Sequence, residues 1–383
     1  MNRGWIILVL AAIVPLAWAP DGVHANPPVT REPARRAAAT PAPQTITMTF
    51  TGDVSMTWRA LPTNLKRLDW KNNPLRFFAP VFKAADLAVS NFEGVLSPGD
   101  PRYAEPRLNL WAPVAAGQVF ANAHVNLVSN GNNHAFDGRD VGVLRTLGAL
   151  RKSGVKVFGV GRTQAEANAP YVFRKGTTCV AILPGTTKTN KGSRGRARVA
   201  FYPRKNWAEL AKVVRHTVQN VCPYVVVYLH WGTEKAHSPN RKITAFGRKI
   251  IDAGAKLLVG HHPHVLQGVE YYGGGAIVYS LGNFVFSNPN KATRRTGVLR
   301  VQLQRRAGKP VRLERLELIP AMIHRKDYTP RPSTGPQAED LLRRMRTYCK
   351  PFGTQVVLHR GRIRFLSAKD VRPPEPARPN DLR

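Results

Sequence analysis

Along the middle of this chain, short apolar runs stop abruptly on Asp, Asn, Glu or His, with helical-period segments between them. The runs read "TITMTFTGD", "LAVSNFE", "NLVSNGNNH", "VVVYLHW" and "LLVGHHPH". In the first, Ile46, Met48 and Phe50 alternate with threonines, the period of a strand. Between runs, "DGRDVGVLRTLGALRKSG" keeps Leu144, Leu147 and Leu150 on one helical stripe until Gly154 stops it, and "TAFGRKIIDAG" is a second helix. "VKVFGVG" and "TCVAILPG" add short strands, and "AIVYSLGNFVF" reads as one more buried strand. Strands alternating with helices specify a layered α/β domain. Later, "TGVLRVQLQRR" and "VRLERLELIPAMI" alternate apolar with charged residues, the mark of an antiparallel hairpin with one wet face.

The 383 residues, 43% of them hydrophobic, have room for one large domain or two ordinary ones. There is no internal repeat. Residues 1–25 read as a secretory signal: Arg3, then an apolar run from Trp5 to Trp18, then Val23 and Ala25 flanking His24. An uncleaved membrane anchor is the alternative, against which stand Pro15 within the run and its shortness for a span of about 20 residues. Either way the rest is expected outside the cytoplasm, periplasmic or extracellular, and membrane-anchored if the signal stays. Residues 26–44 read as a disordered linker, 45–325 as the α/β domain, 326–370 as a C-terminal extension with one helix ("AEDLLRRMRTYC") and a short strand pair, and 371–383 as a disordered tail. Three cysteines suit an oxidising compartment without a disulfide framework. Cys179 and Cys222 each lie beside a strand-like run, but no spacing signature requires a bridge, and no CxxC pair offers a zinc site.

Lysine and arginine total 58 against 23 acidic residues, a formal charge of +35. Such a surface attracts polyanions, unless a basic composition is simply general to the exported proteins of the source. No nucleic-acid-binding module is recognisable, and export argues against nucleic acid. An anionic cell-surface polymer or a phosphorylated substrate fits better.

In an α/β sheet, ligands bind beyond the carboxyl ends of the strands. The residues at those ends are Asp53; Asn91 and Glu93; Asn132, Asn133 and His134; His230; and His261, His262 and His264. Each has an ordinary reading too. Asp53 suits a turn or a cap, Asn91 and Glu93 share a face only if the strand continues through them, Asp137 or Asp140 suits the cap of the next helix, and His230 suits a satisfied core imidazole. The "HHPH" run is harder to place structurally, because Pro263 fixes the backbone between His262 and His264. Carboxylates, an amide and imidazoles in one crevice suit one or two divalent ions of the manganese, zinc or iron class. Such an ion lowers the pKa of a bound water toward ~7 and polarises an anionic substrate. His134, beside a candidate ligand, suits substrate hydrogen bonding or protonation of a leaving group.

At these residues the chain resembles a known family. "TGDVSM", "DLAVSNFEGVLS", "NNHAFDGRDVGVLRTL", "VVVYLHWGTE", "AGAKLLVGHHPHVLQGVE" and "IVYSLGNFVF" look like the signature blocks of the CapA family of poly-γ-glutamate capsule biosynthesis proteins, in order over roughly residues 45 to 290. That family is similar in fold to the calcineurin-like metallophosphoesterases, which implies a layered α/β/β/α sandwich. The resemblance implies metal ligation by Asp53, Asn133, His230, His262 and His264 and catalysis by His134, with His261 a bystander; from their places at the strand ends, Glu93 is expected as a further metal ligand and Asn91 and Asn132 as substrate-binding residues. A typical member of the wider fold has a histidine two residues after the first aspartate, where this chain has Ser55. It also has a bridging aspartate where this chain has the Asn91/Glu93 segment. The expected function is a metal-dependent phosphoesterase-like hydrolase in anionic polymer biosynthesis, with a membrane-bound polymer-synthesis complex as a partner. The alternative is a non-catalytic polyanion-binding or assembly protein that keeps the fold.

Overall fold

The apolar runs become the parallel strands of two sheets. The computed structural model describes residues 43–57, 72–98, 110–190, 192, 195, 197–287, 290–367 and 370. The expected signal, the linker up to residue 42 and the 371–383 tail lie outside these. In the first, ten-stranded sheet, Gln44–Val54 pairs in parallel with Leu87–Phe92, which pairs with Leu127–Ser129 and through it with Lys156–Phe158. On its other side Gln44–Val54 pairs with Arg295–Arg305, which forms with Arg312–Ile323 the expected antiparallel hairpin. In the second, six-stranded sheet, Thr178–Thr186, Tyr224–His230, Leu257–His261 and Gly275–Val278 are parallel neighbours. Antiparallel Tyr171–Lys175 and Val269–Tyr272 form its edges.

The two sheets pack face to face. Met48, Phe50, Val89, Leu127 and Leu299 of the first meet Ile182, Val226, Tyr228 and Val259 of the second in one core. Helices cover both outer faces. Phe82, Phe120 and Leu150 pack on Val54, Phe92 and Val298, and Leu210, Val214, Phe246 and Ile250 pack on Leu183, Val225, Val227 and Leu258. The architecture is therefore the α/β/β/α sandwich that the motifs implied. Strands buried on both faces have no polar side to show, which is why "YVVVYLH" is buried at every position.

One strand expectation is corrected. "AIVYSLGNFVF" is two strands: Gly275–Val278 belongs to the second sheet, whereas Asn283–Val285 pairs with Gln44–Val54 in the first. Gly282, at φ +65°, makes the crossing, and its carbonyl accepts the Asp53 N–H at 2.8 Å. A side chain at Gly52 would bring a Cβ to 2.2 Å from that carbonyl oxygen, so the approach requires glycine. Hydropathy stays high on both sides of the crossing and so conceals it.

Beyond residue 326 the chain completes the same core. Helix Gly335–Cys349 contributes Leu341, Leu342 and Met345, and Arg362–Leu366, paired with Gln355–His359, extends the first sheet from Arg312–Ile323. Cys179 and Cys222 form a disulfide across a Cα separation of 5.5 Å, and Cys349 is a buried free thiol. No helix among the described residues is long and apolar enough to cross a membrane.

Candidate functional site

Parallel register carries the polar strand ends to one rim. Asp53 is opposite Asn91, Asn91 is opposite Ser129, and His230 is opposite His261. The first sheet thus delivers Asp53, Asn91, Glu93 and, past Ser129, Asn132 to His134. The second delivers His230, His262 and His264, and the two groups touch. His262 donates its backbone N–H to Asp53 Oδ2 at 3.2 Å, and His264 Nδ1 lies 3.3 Å from the same oxygen. His230 Nε2 lies 2.7 Å from Asn133 Oδ1 and 3.1 Å from His262 Nδ1. Glu93 Oε1 faces His264 Nε2 and His134 Nε2, each at 3.7 Å, and His230 Nε2 at 4.0 Å. Both histidines of the turn have left-handed backbones, His262 at φ +95° and His264 at φ +57°. Such conformations cost roughly 1–3 kcal/mol each and concentrate at functional sites.

The charges explain what this geometry is built to hold. Glu93 is fully buried, and neither carboxylate oxygen has a hydrogen bond among the described residues. Burial is the main cause that pushes its pKa up to about 7; the His264 charge opposes this and the Asp53 charge adds to it. A buried carboxylate without a hydrogen bond is costly, and imidazoles at 3.7–4.0 Å offset that cost less than a cation bound directly to its oxygens would. Asp53 is held well below the usual carboxylate range: burial opposes ionisation, but a hydrogen bond from His264 and the charges of the surrounding histidines overcome it. Burial likewise disfavours the charge on His264, yet Glu93 and Asp53 push it up to about 10. His262 is pushed down to about 3, and His230 well below its ordinary value, by burial first and then by neighbouring imidazoles. Two imidazoles are thus kept neutral, the form that binds metal, while a proton on His264 supplies the positive charge between the carboxylates. Asp53, Glu93 and His264 offer donor atoms within 4.8 Å of one another, as do Glu234, His262 and His264. These residues fit a divalent cation.

Asn91 and Asn132, expected to bind substrate, are buried behind the carboxylates. Asn91 Nδ2 donates to Asp53 Oδ1 at 2.8 Å, and Asn91 Oδ1 accepts from Asn132 Nδ2 at 3.1 Å. Asn132 Oδ1 in turn accepts the His134 N–H at 3.1 Å. The pair therefore orients Asp53 and the His134 loop. His261 points away, with Nε2 3.0 Å from the Thr51 carbonyl and its ring 4.3 Å from that of Tyr228. Its contacts lie between the two sheets.

The sequence reading passed over several neighbours. Asp137 does not cap the following helix, which begins after Gly138 without a side-chain cap. Its Oδ2 instead accepts from His134 Nδ1 at 2.7 Å and from the Leu110 N–H at 2.6 Å. Asp140 accepts the Ala197 N–H at 3.0 Å. Burial works against a charge on His134, but the Asp137 hydrogen bond and the Glu93 charge raise its pKa above the ordinary imidazole value. Asn283 Oδ1 accepts from His264 Nδ1 at 2.8 Å, and Asn190 Nδ2 lies 3.4 Å from His134 Nε2. Asp137 and Asn283 lie inside the blocks "NNHAFD" and "SLGNF", so position was available as a signal although role was not.

Comparison with known proteins agrees with the motifs. A family model for the bacterial capsule synthesis protein PGA_cap matches residues 47–288. The PGA biosynthesis protein CapA of Bacillus subtilis (strain 168) is 30% identical over 298 residues, covering 75% of this chain and 73% of that protein. The capsule biosynthesis protein CapA of Bacillus anthracis is 28% identical over 302 residues, covering 76% and 70%. Among solved structures, a putative 5'-nucleotidase from Staphylococcus aureus matches with a TM-score of 0.48 at 15% identity, over 72% of this chain and 54% of that one, so the chain spans about half its length. With more than half of its length matched by one family model, the chain belongs to the bacterial capsule synthesis protein PGA_cap family.

Proposed function

We propose that this protein is an exported, metal-dependent hydrolase of phosphoesterase type that acts in the biosynthesis of an anionic cell-surface polymer, poly-γ-glutamate or a related one. The observation that carries the reading is Glu93, a buried carboxylate without a hydrogen bond, facing three imidazoles. Asp53, Glu93, Asn133, His230, His262 and His264 would hold the ion, of the manganese, zinc or iron class. When bound, such an ion supplies Lewis acidity toward a substrate oxygen and acidity to a water. Asn91 fixes Asp53 through its Oδ1, leaving Oδ2 toward His264. Asp137 holds the His134 Nδ1 proton, so that Nε2 faces the site at Glu93 and can deliver a proton to a departing oxygen. The raised pKa of His134 keeps more of it protonated near neutrality than an ordinary imidazole. The apolar run from Trp5 to Trp18 behind Arg3, read as a secretory signal, supports action outside the cytoplasmic membrane, where a membrane-bound polymer-synthesis complex would be the partner.

Metal analysis of protein purified without chelators, together with hydrolysis of generic phosphodiesters and phosphomonoesters, tests this reading. His262→Ala is expected to lose both metal and activity. His134→Ala is expected to keep the metal and lose activity by roughly 10²–10⁴-fold. Hydrolysis untouched by either change sinks the reading.

A second reading, a non-catalytic polyanion-binding protein, is favoured by one feature. Arg300, Glu317 and Arg364 are cross-strand neighbours, and Arg300 and Arg362 both bond to Glu317 Oε2 at 3.3 Å. Three arginines thus surround one carboxylate on the face of the sheet opposite the core, and Arg300 is held below its ordinary pKa by burial and then by the Arg362 charge. Steep salt dependence of binding to polyglutamate, without any hydrolysis, is the outcome that would select this reading.

A further inference from the structure

Just past the strand that ends at Val54, Ser55 is buried and without a hydrogen bond at Oγ among the described residues. A serine hydroxyl is a poor substitute for an imidazole donor. From the mouth of the site, a different element brings a further donor. The strand Tyr224–His230 continues into "WGTEK", where Gly232 takes φ +92° and Lys235 φ +60°. Lys235 donates its N–H to the Pro263 carbonyl at 2.8 Å, and a Cβ at Gly232 would lie 3.3 Å from Pro263 Cγ. The hydrogen bond holds this loop against the His262–His264 turn, and Glu234 lies between Gly232 and Lys235 in sequence. Glu234, His262 and His264 consequently present ligand atoms all within 4.8 Å of one another. Glu234 is exposed, no hydrogen bond or ion pair of its side chain is found among the described residues, and its charge is close enough to act on Glu93.

We propose that Glu234 is a metal ligand: with His262 and His264 it closes a divalent-cation position from the mouth of the site. The proposal rests on the metal reading above. One carboxylate and two imidazoles suit the same borderline ions, and a carboxylate at the mouth offers an incoming cation its first charged contact. The buried set Asp53, Glu93 and His264 overlaps this outer set at His264.

Titration of the chelator-stripped protein with Mn²⁺, read by calorimetry and by elemental analysis after desalting, tests the assignment without any activity measurement. Glu234→Gln is expected to weaken Mn²⁺ binding at least tenfold or to remove one bound ion, with an unchanged melting temperature in EDTA. Glu234→His, which returns a donor without the charge, is expected to recover binding. Wild-type stoichiometry and affinity in Glu234→Gln would overturn the proposal, and so would a Glu234→His variant as weak as Glu234→Gln, because Glu234 would then act through charge alone. A wild-type protein that binds no Mn²⁺ overturns the metal reading itself, before any variant is compared.

Discussion

Glu93 and His264 set the pH behaviour of the metal-free protein. An unfolded Glu releases its proton near 4.5, but folded Glu93 holds on until about 7, so the folded state is progressively penalised as pH rises between those values. His264 is raised from 6.5 to about 10, and the stability this contributes is complete below 6.5 and lost as pH rises through 10. Both trends run in one direction above pH 6.5. Metal binding needs an ionised Glu93 and a neutral His264, so it strengthens over the same interval. The melting temperature of EDTA-treated protein is expected to fall from pH 6.5 to pH 10, and the gap to Mn²⁺-loaded protein to widen. Melting curves that shift in parallel with and without EDTA would contradict this. Of these residues, the sequence exposed identity and spacing. It did not expose that Glu93 would lack any hydrogen bond, since that depends on what residues distant in sequence bring near it.

At the scale of elements, the site depends on the place where the chain crosses from one sheet to the other. Gly52→Ala would drive a methyl group against the Gly282 carbonyl, which is part of the backbone and cannot turn aside. Chemical denaturation is expected to show a loss of about 1–3 kcal/mol or more, with weaker metal binding because Asp53 moves with its strand. Gly148→Ala is the control: it lies within helix Arg139–Lys152 with nothing near its added Cβ, and is expected to be neutral or stabilising by about 0.5–1 kcal/mol. Comparable losses in both variants would count against the crossing as the sensitive point. The strands themselves were readable because alternation and a polar stop are local signals. The division of "AIVYSLGNFVF" between two sheets was not, because both halves are equally apolar. The role of Asp137 was not legible for a related reason: a carboxylate just before a helix has the composition of a cap whatever it bonds to.

Across the whole molecule, the segment after residue 326 is part of the main core. Leu341, Leu342, Met345, Val356, Ile363 and Phe365 are buried with Leu316 and Leu318 of the hairpin and with strands of the second sheet. Truncation after residue 325 is therefore expected to give aggregated or non-cooperatively melting protein, where an appended tail would leave the melt unchanged. The expected boundaries were drawn from composition, and a charged helix with a short strand pair does not announce by composition what it will cover.

The amino-acid order alone determined most of the strand and helix segments of the α/β core, the polar residues at strand ends and the motif blocks of the family, because periodicity, turn chemistry and spacing are properties of neighbours along the chain. Tertiary structure decided which polar atoms find partners. Only the closing of two sheets around one rim leaves Glu93 unbonded, keeps His230 and His262 neutral, turns Asp137 onto His134 and clamps Glu234 beside the histidine turn. Desolvation and hydrogen bonding are fixed by distance in space, and residues from 53 to 283 reach that distance only when the fold is complete.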